Sequence, residues 1–527
     1  MNRYDAIVVG GGHNGLACAA YLARAGRTVV VLEERPIVGG FCTSEAVVPE
    51  APGFLMNVTS IDHILTCIPT SVADDLDLAR HGLEWVWPDP FCSYAAPEGG
   101  VIRFWRDMDR TCAEIARFSK RDADAYRRFI GILGDIWAVA APYLQGHPTR
   151  PRPGTLAALA RAAARGRRSL SPGVRILMSS PGAMIDEWFE STELKAALAC
   201  YAVSTMASLD EPGSGLVLSL FAVMHKWGMH RPVGGSGALS EALAAAVRTA
   251  GGEIRMGTPV GQLLFDAAGA VVGVETRDGE RLHASAVIAA LDPTTLFRKL
   301  MPADRVPDQV DRELSSLGVL RNNISAFKGD VALARRPHIP AAGNSEEILP
   351  SCMLFAPSID YVRRSVETTL QGRLPDELPM WVIAPSVLDR ALVPPGSDGD
   401  SLYMFLPAVP YDLADGASWV DEKDKVLDRC LDVFDQYAPG AKASVIGASA
   451  SGPHDFEAFS AVHKGHLFHA DMTPAQAGPW RPTPSLSGYR TPVRGLWHTG
   501  AGAHPTGAIN GWSGRTAART ILRATRR

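Results

Sequence analysis

At 527 residues the chain is too long for one simple hydrophobic core, so two domains are expected, interleaved along the sequence if need be. Hydrophobic residues make up 46%, charged residues 20%, and the net charge is −4, which excludes a nucleic-acid binder held by basic charge. The eight cysteines (Cys18, Cys42, Cys67, Cys92, Cys112, Cys200, Cys352, Cys430) form no CxxC pair, which argues against a zinc site or a disulfide framework and fits a reducing cytoplasm.

The first element is Tyr4–Val9, which ends in Ile-Val-Val and reads as a buried parallel strand. No signal peptide is expected ahead of it. Gly10-x-Gly12-x-x-Gly15 follows, then the helix-forming run Leu16–Ala25, with Gly26 where a C-cap belongs. Thr28–Leu32 is a second buried strand, and Glu33 ends it. Strand, glycine turn, helix, strand and acid in that order make a dinucleotide-binding unit. Gly10 serves the tight turn, Gly12 the approach of a pyrophosphate, and Gly15 the contact between helix and strand. Free N–H groups at the helix start would hold the phosphates, and Glu33 would accept hydrogen bonds from ribose hydroxyls.

The next residues, Arg35-Pro36-Ile37-Val38-Gly39-Gly40, resemble the RxxxGG motif of FAD proteins of the glutathione-reductase and amine-oxidase type. In those proteins the motif gives the arginine and the backbone access to the diphosphate side. FAD is therefore expected rather than NAD.

Leu83–Tyr94 and Gly100–Trp105 read as a hairpin, and Asp109–Leu144 as helical, with Ile115, Phe118, Tyr126, Phe129, Ile130 and Leu133 on its apolar face. Thr149–Arg175 carries seven arginines and no acid, interleaved with leucine and alanine. Two readings are open for it: a peripheral contact with an anionic membrane surface, or a solvated surface helix. The longest mainly apolar stretches, such as Gly215–Met224, fall short of the roughly 20 residues of a spanning helix. A cytoplasmic location, possible peripheral membrane contact aside, is the expectation.

Gly234-Gly235-Ser236-Gly237 precedes a helical run, Ala238–Ala250, a short strand Glu253–Met256 follows, and Val271–Thr276, Arg281–His283 and Ala286–Leu291 read as strands of a small sheet. Between residues 301 and 488, β-type stretches (Ala326–Ala332, Leu402–Pro407) and the helical Asp421–Tyr437 suit a mixed domain. Near the C-terminus, Gly495–Gly500 is a strand running into a glycine-dense loop, and a last helix starts near Ser513. Such a unit aims helix N–H groups at an anion or an electron-rich ring edge.

Together, the block through Gly40, the helix start Gly234–Leu239 and the segment "HTGAGAHPTGAINGWSGRTAA" resemble the phytoene-desaturase-like FAD oxidoreductases of the amine-oxidase superfamily. "GHLFHADMTPAQ" and "YRTPVRGLWHTGAGAHP" are similar to the branch that holds desaturase-like β-carotene ketolases and pyridine nucleotide-disulphide oxidoreductase domain protein 2. The resemblance implies an α/β fold in which a discontinuous Rossmann-like FAD-binding domain (1–68, 232–297, 489–527) joins a mixed α+β substrate domain (69–231, 298–488). It also implies FAD contacts at Gly10, Gly12, Gly15, Glu33, Arg35, Gly39, Gly40, Val260, Gly500 and Gly502. Val260 would pack by the adenine.

The implied reaction is hydride transfer from a hydrophobic substrate to flavin N5, with O2 or a quinone as final acceptor. A flavin-dependent isomerase or saturase, and an FAD protein acting through partner contacts, are the alternatives. Where relatives have a Thr-His-Pro-Gly-Gly-Gly-Val-like loop, this chain has Ala503–Asn510, whose bulkier residues argue against a long polyene. Three helpers are candidates, each with a structural alternative. His504 polarises substrate or flavin, or serves as a structural histidine. Asn510 donates to the flavin C2 carbonyl, or caps the last helix. Lys226 holds a water near N5, or belongs to a polar connecting loop. His225 and His230 in "HKWGMH" lack metal-site spacing, so no metal is expected. The absence of a complete GxSxG elbow argues against a serine hydrolase.

Overall fold

The computed structural model describes residues 3–66, 68, 71–165, 175–176 and 178–525. In the strand Arg3–Val9 the last four residues are fully buried, as in a parallel strand covered on both faces. It pairs in parallel with Val29–Leu32 on one side and Arg281–Ala289 on the other. Glu253–Arg255 adds to the outer edge of Val29–Leu32, also in parallel.

Arg281–Ala289 is shared along its length. Residues 281–283 pair antiparallel with Val271–Thr276, and residues 287–289 pair in parallel with Leu496–His498. Val260–Phe265 closes the sheet against Val271–Thr276. The separate small sheet expected from the sequence is thus part of the main one. Its two short strands are a single strand whose first half alternates exposed and buried while its second half is buried throughout.

The helix His13–Arg24 packs against this sheet between Ser236–Thr249 and Trp512–Ala524. Small residues set the approach: a Cβ on Gly514 would stand 2.0 Å from the Asn14 carbonyl oxygen.

The second sheet runs in the order Val445–Ser451, Ile324–Leu333, Asp400–Pro410, Met380–Ile383, Cys352–Phe355, Cys92–Ala95, Val101–Phe104. Every pairing is antiparallel except that of Cys352–Phe355 with Cys92–Ala95. The expected hairpin therefore keeps Cys92–Ala95, while Trp85–Val86 leaves it to pair with Arg231–Pro232. The expected long helix is two, Met108–Ala116 and Lys120–Leu144. Ser119 is extended between them, and its side chain caps the second through the Asp122 N–H at 3.1 Å. One face of the second sheet is covered by Trp419–Tyr437, with Leu427, Leu431 and Phe434 in a core shared with Phe327 and Met404. The other face, carrying Tyr403 and Phe405, belongs to the core formed with Thr192–Ala202 and Ser219–Trp227.

Of the arginine-rich segment, Pro153–Arg165 is a helix on which Leu156 and Arg161 are exposed, and residues 166–174 lie outside the described residues. Cys67 does too, and the other seven cysteines are buried and free. Among the described residues no helix is long and apolar enough to cross a membrane, and no group of three His, Cys, Asp or Glu is arranged to hold a metal.

Candidate active site

The C-terminal ends of the parallel strands converge where ligands bind in open α/β sheets. Val9, Leu32, Ala290 and Gly500 all stand on the wall of one cavity of about 810 Å³ that reaches across to the second sheet. That volume is in the range of small-molecule and cofactor sites, roughly 300–1,000 Å³.

On the first-sheet side the glycine turn is shaped by close approach. Gly10 sits at φ +102, with the Ala290 carbonyl oxygen 3.0 Å from where its Cβ would be. A Cβ on Gly15 would come within 2.2 Å of the Gly10 carbonyl oxygen and 2.9 Å of the Ala290 Cβ. The helix that follows begins at Gly12 without a side-chain cap, so its first N–H groups are left for a ligand. Gly39 bridges to Gly12, and its N–H donates to the Gly11 carbonyl at 2.9 Å.

Glu33 accepts the Gly11 N–H at 2.6 Å and the Arg35 N–H at 2.9 Å. Burial raises its pKa above the usual 4.5, opposed by those two backbone bonds. Arg35 donates through Nη2 to both oxygens of Glu45 at 2.9 Å and lies 3.8 Å over the Phe459 ring. Its Nη1 is buried with no partner. Among the described residues, four further polar atoms of cavity-lining residues are buried and unpartnered: Thr59 Oγ1, Asp292 Oδ2, Ser460 Oγ and His469 Nδ1. Unfilled polar atoms of this kind call for a ligand. Bare turn, uncapped helix, acid and spare guanidinium nitrogen together fit the diphosphate and ribose of FAD.

Burial pushes His13 down to about 4 and lowers His469, with His466, His498, Arg481 and His13 adding smaller repulsions to the latter. His469 also has a left-handed backbone, φ +63. The segment on either side of it is tied to the glycine loop by the fully buried Arg481, whose Nη2 donates to the Phe468 carbonyl at 2.7 Å and the Ala501 carbonyl at 3.2 Å.

The second-sheet side of the cavity is aromatic. Tyr201 stacks on Trp381 with centroids 4.9 Å apart, Trp381 meets Phe405 at 5.6 Å, and the Tyr403 hydroxyl donates to the Thr59 carbonyl at 2.5 Å. Behind Tyr403 lies a buried ion pair, Lys328 with Asp330, whose ammonium is 4.8 Å from the Tyr403 ring centroid. Asp62 also lines the cavity, and its Oδ1 accepts from Arg231 Nε at 2.8 Å.

Gly10, Gly12, Gly15, Glu33, Arg35, Gly39, Gly40, Val260 and Gly500 are brought together on the cavity wall. Gly502 stands behind it, with Pro293 Cδ 3.1 Å and His469 Cβ 3.3 Å from its Cβ position. The three proposed helpers are not on the wall. His504 is buried, 3.3 Å from the Tyr143 carbonyl through Nε2. Asn510 accepts the Trp512 N–H at 2.8 Å and donates to the Ala508 carbonyl at 2.7 Å, one residue before the N-cap Gly511 of the last helix. Lys226 is exposed, its Nζ 4.6 Å over the Trp227 ring. Asp62, Asp292, Trp381, Phe459 and His469, not singled out from sequence, also line the wall. His469 lies in "GHLFHADMTPAQ" and Asp292 directly follows a buried strand, which were usable signals. Asp62 had none.

The pattern described as "Flavin containing amine oxidoreductase" matches residues 15–357. The mouse (Mus musculus) pyridine nucleotide-disulfide oxidoreductase domain-containing protein 2 is 33% identical, over 99% of this chain and 94% of that protein. A lycopene-forming phytoene desaturase of Pseudescherichia vulneris is 24% identical, over 96% of each. An oxidoreductase structure from Methanosarcina mazei has the same fold, with TM-score 0.61 at 17% identity, covering 98% of this chain and 99% of that one. With a dinucleotide-binding turn, an uncapped helix and a cavity to match, the chain belongs to the flavin-containing amine oxidoreductase family and is an FAD-dependent oxidoreductase.

Proposed function

We propose that FAD lies in this cavity from the glycine turn to the Gly500–Ile509 loop, and that the enzyme oxidises a lipophilic small molecule held against the aromatic wall. Bound FAD would supply the hydride acceptor, with O2 or a quinone regenerating it. One observation carries the reading: a single cavity joins the dinucleotide turn to Trp381, Tyr403 and Phe405. The relative named for phytoene desaturation supports a lipophilic, isoprenoid-like substrate.

The chain's own residues have four tasks. The helix start and Arg35 hold the diphosphate. Glu33 accepts from ribose hydroxyls. The aromatic wall excludes water and orients the carbon that gives up hydride, which must approach to about 3–3.5 Å. The Arg481 carbonyl contacts keep the glycine loop against the substrate wall. His504 and Asn510 act on loop shape, and Lys226 takes no part.

Anaerobic stopped-flow mixing of the holoenzyme with a panel of lipophilic alcohols, amines and isoprenoids tests this. Bleaching of the visible flavin bands by one class is the expected result. Product formation with the flavin left oxidised would favour an isomerase, and no response across the panel would overturn the oxidation reading.

A further inference from the structure

A file of packed aromatic rings leads away from the cavity through the core, and it ends on a histidine placed to take a proton. Trp381 and Tyr201 stand on the cavity wall, stacked with centroids 4.9 Å apart and planes at 14°. Tyr201 meets Phe221 at 4.8 Å, Phe221 meets Phe104 at 5.2 Å, and Phe104 meets Tyr126 at 5.9 Å. Every step falls within the about 4.5–7 Å of paired aromatic rings. Phe221, Phe104 and Tyr126 are fully buried. The Tyr126 hydroxyl lies 2.9 Å from His225 Nε2. On its other side His225 Nδ1 is 3.3 Å from the Arg106 carbonyl. A carbonyl only accepts, so Nδ1 carries the ring proton and Nε2 accepts from Tyr126. His225 is half-buried, and Phe221 stands four positions before it on Ser219–Trp227, so one helix face holds both a bridging ring and the proton acceptor. Burial pushes the His225 pKa down to about 4, opposed by its contacts to the Arg106 and Trp105 carbonyls, which leaves the ring neutral near pH 7.

Core packing asks only for apolar rings, and phenylalanine would fill the Tyr126 position with no polar atom to satisfy. Tryptophan and tyrosine give up one electron far more readily than phenylalanine, and a tyrosine does so when its hydroxyl proton has somewhere to go. A base within about 2.6–3.2 Å meets that need. We infer that Trp381, Tyr201 and Tyr126 form a relay that drains a single oxidising equivalent from the flavin chamber to the half-buried His225, with Phe221 and Phe104 as its bridge. The relay protects the chamber, because the equivalent ends on a ring that a reductant outside can refill. This rests on the placement of FAD proposed above and on no particular substrate. With the flavin excited by blue light as oxidant, the steps balance. The flavin gains one electron, which Tyr201 or Trp381 loses. Tyr126 refills that ring, and its hydroxyl proton passes to His225 Nε2. A small thiol in solution returns an electron to Tyr126, and His225 returns the proton to its oxygen. The thiol releases its own proton to water, and two oxidised thiols join as a disulfide. Each thiol thus delivers one electron to the flavin.

The test uses the holoenzyme under nitrogen, dithiothreitol as the thiol and blue light, with dark samples subtracted. Visible absorption follows flavin reduction, and freeze-quenched electron paramagnetic resonance follows the radical. Wild-type enzyme should bleach in the light and show a tyrosyl radical. Tyr126→Phe should slow the bleaching severalfold and remove that radical, with FAD content unchanged. His225→Gln, which keeps a hydrogen-bond acceptor but not a base, should also slow it severalfold and abolish the slowing that the wild-type enzyme shows in deuterated water. Phe104→Leu opens the bridge while keeping both tyrosines, and should slow the bleaching even where Tyr126→Phe fails to fold. Tyr437→Phe, on the opposite face of the second sheet, is the control and should change nothing. A wild-type enzyme that holds its flavin bands but gives no tyrosyl radical overturns the inference, as does wild-type bleaching in Tyr126→Phe or in Phe104→Leu. Enzyme without visible flavin bands sinks the FAD placement and the inference together.

Discussion

Replacing Gly15 by alanine tests the link from backbone packing to cofactor binding. The added methyl would sit 2.2 Å from the Gly10 carbonyl oxygen, more than an ångström inside ordinary contact, and 2.9 Å from Ala290 Cβ. Neither neighbour is a flexible side-chain end. The first helix cannot back away, because Gly514 of the last helix already rests against its Asn14 carbonyl. Overpacking of this kind costs about 1–3 kcal/mol, and the better helix propensity of alanine returns about 1 kcal/mol. A modest net loss of stability is therefore expected. The loss of affinity should be larger. Displacing the helix start from the diphosphate forfeits at least one charge-assisted bond of about 1.5–3 kcal/mol, or about ten- to hundredfold in FAD dissociation constant. Fluorescence titration of the apoprotein with FAD measures the affinity, and thermal unfolding with and without FAD measures the stability. Gly26→Ala is the control, since Gly26 has φ +78 but nothing within 4 Å of its Cβ position. It should lower stability and leave FAD affinity alone. Wild-type FAD affinity in Gly15→Ala would refute the packing argument.

Glu33 gives a pH dependence. Its pKa is raised in the folded protein, so its contribution to apoprotein stability is greatest below the usual 4.5 and declines as pH rises through the raised value. Cofactor binding runs the other way, because protonation removes an acceptor. FAD affinity should fall as pH drops through that window, by up to tenfold per pH unit, and Glu33→Gln should flatten the slope. Burial lowers the pKa of Lys328 and raises that of Asp330. Asp330→Asn should cost about 3–5 kcal/mol in urea unfolding by stranding the ammonium, and Lys328→Met with Asp330→Leu should recover most of it. Arg481 is buried and pushed down to about 10, and its guanidinium serves backbone carbonyls on three segments. Arg481→Met should lower the thermal midpoint and release FAD more readily in rapid-dilution measurements. Lys226→Ala should leave the rate of flavin reduction unchanged, since its ammonium stands outside the cavity.

The dinucleotide unit was legible because every feature that makes it is local. Turn, uncapped helix start and terminal acid lie within Tyr4–Gly40, and the contacts that require glycine follow from that short stretch meeting its neighbouring strand. The C-terminal strand and helix were readable for the same reason. The sequence could not say that Arg281–Ala289 is one strand serving, besides Arg3–Val9, two partners on its other edge, because that depends on residues 271–276 and 496–498 reaching the same edge. Nor could it say that the side chains of His504, Asn510 and Lys226, polar and near cofactor-like motifs, turn to a carbonyl, a helix end and solvent. Asp62 and Arg231 are 169 positions apart, and Tyr201 and Trp381 are brought together by a helix stacking on a distant strand. Local backbone preference writes a phosphate-binding turn into contiguous residues. A substrate chamber is written by long-range burial, which fixes partners only once both sheets have closed on each other.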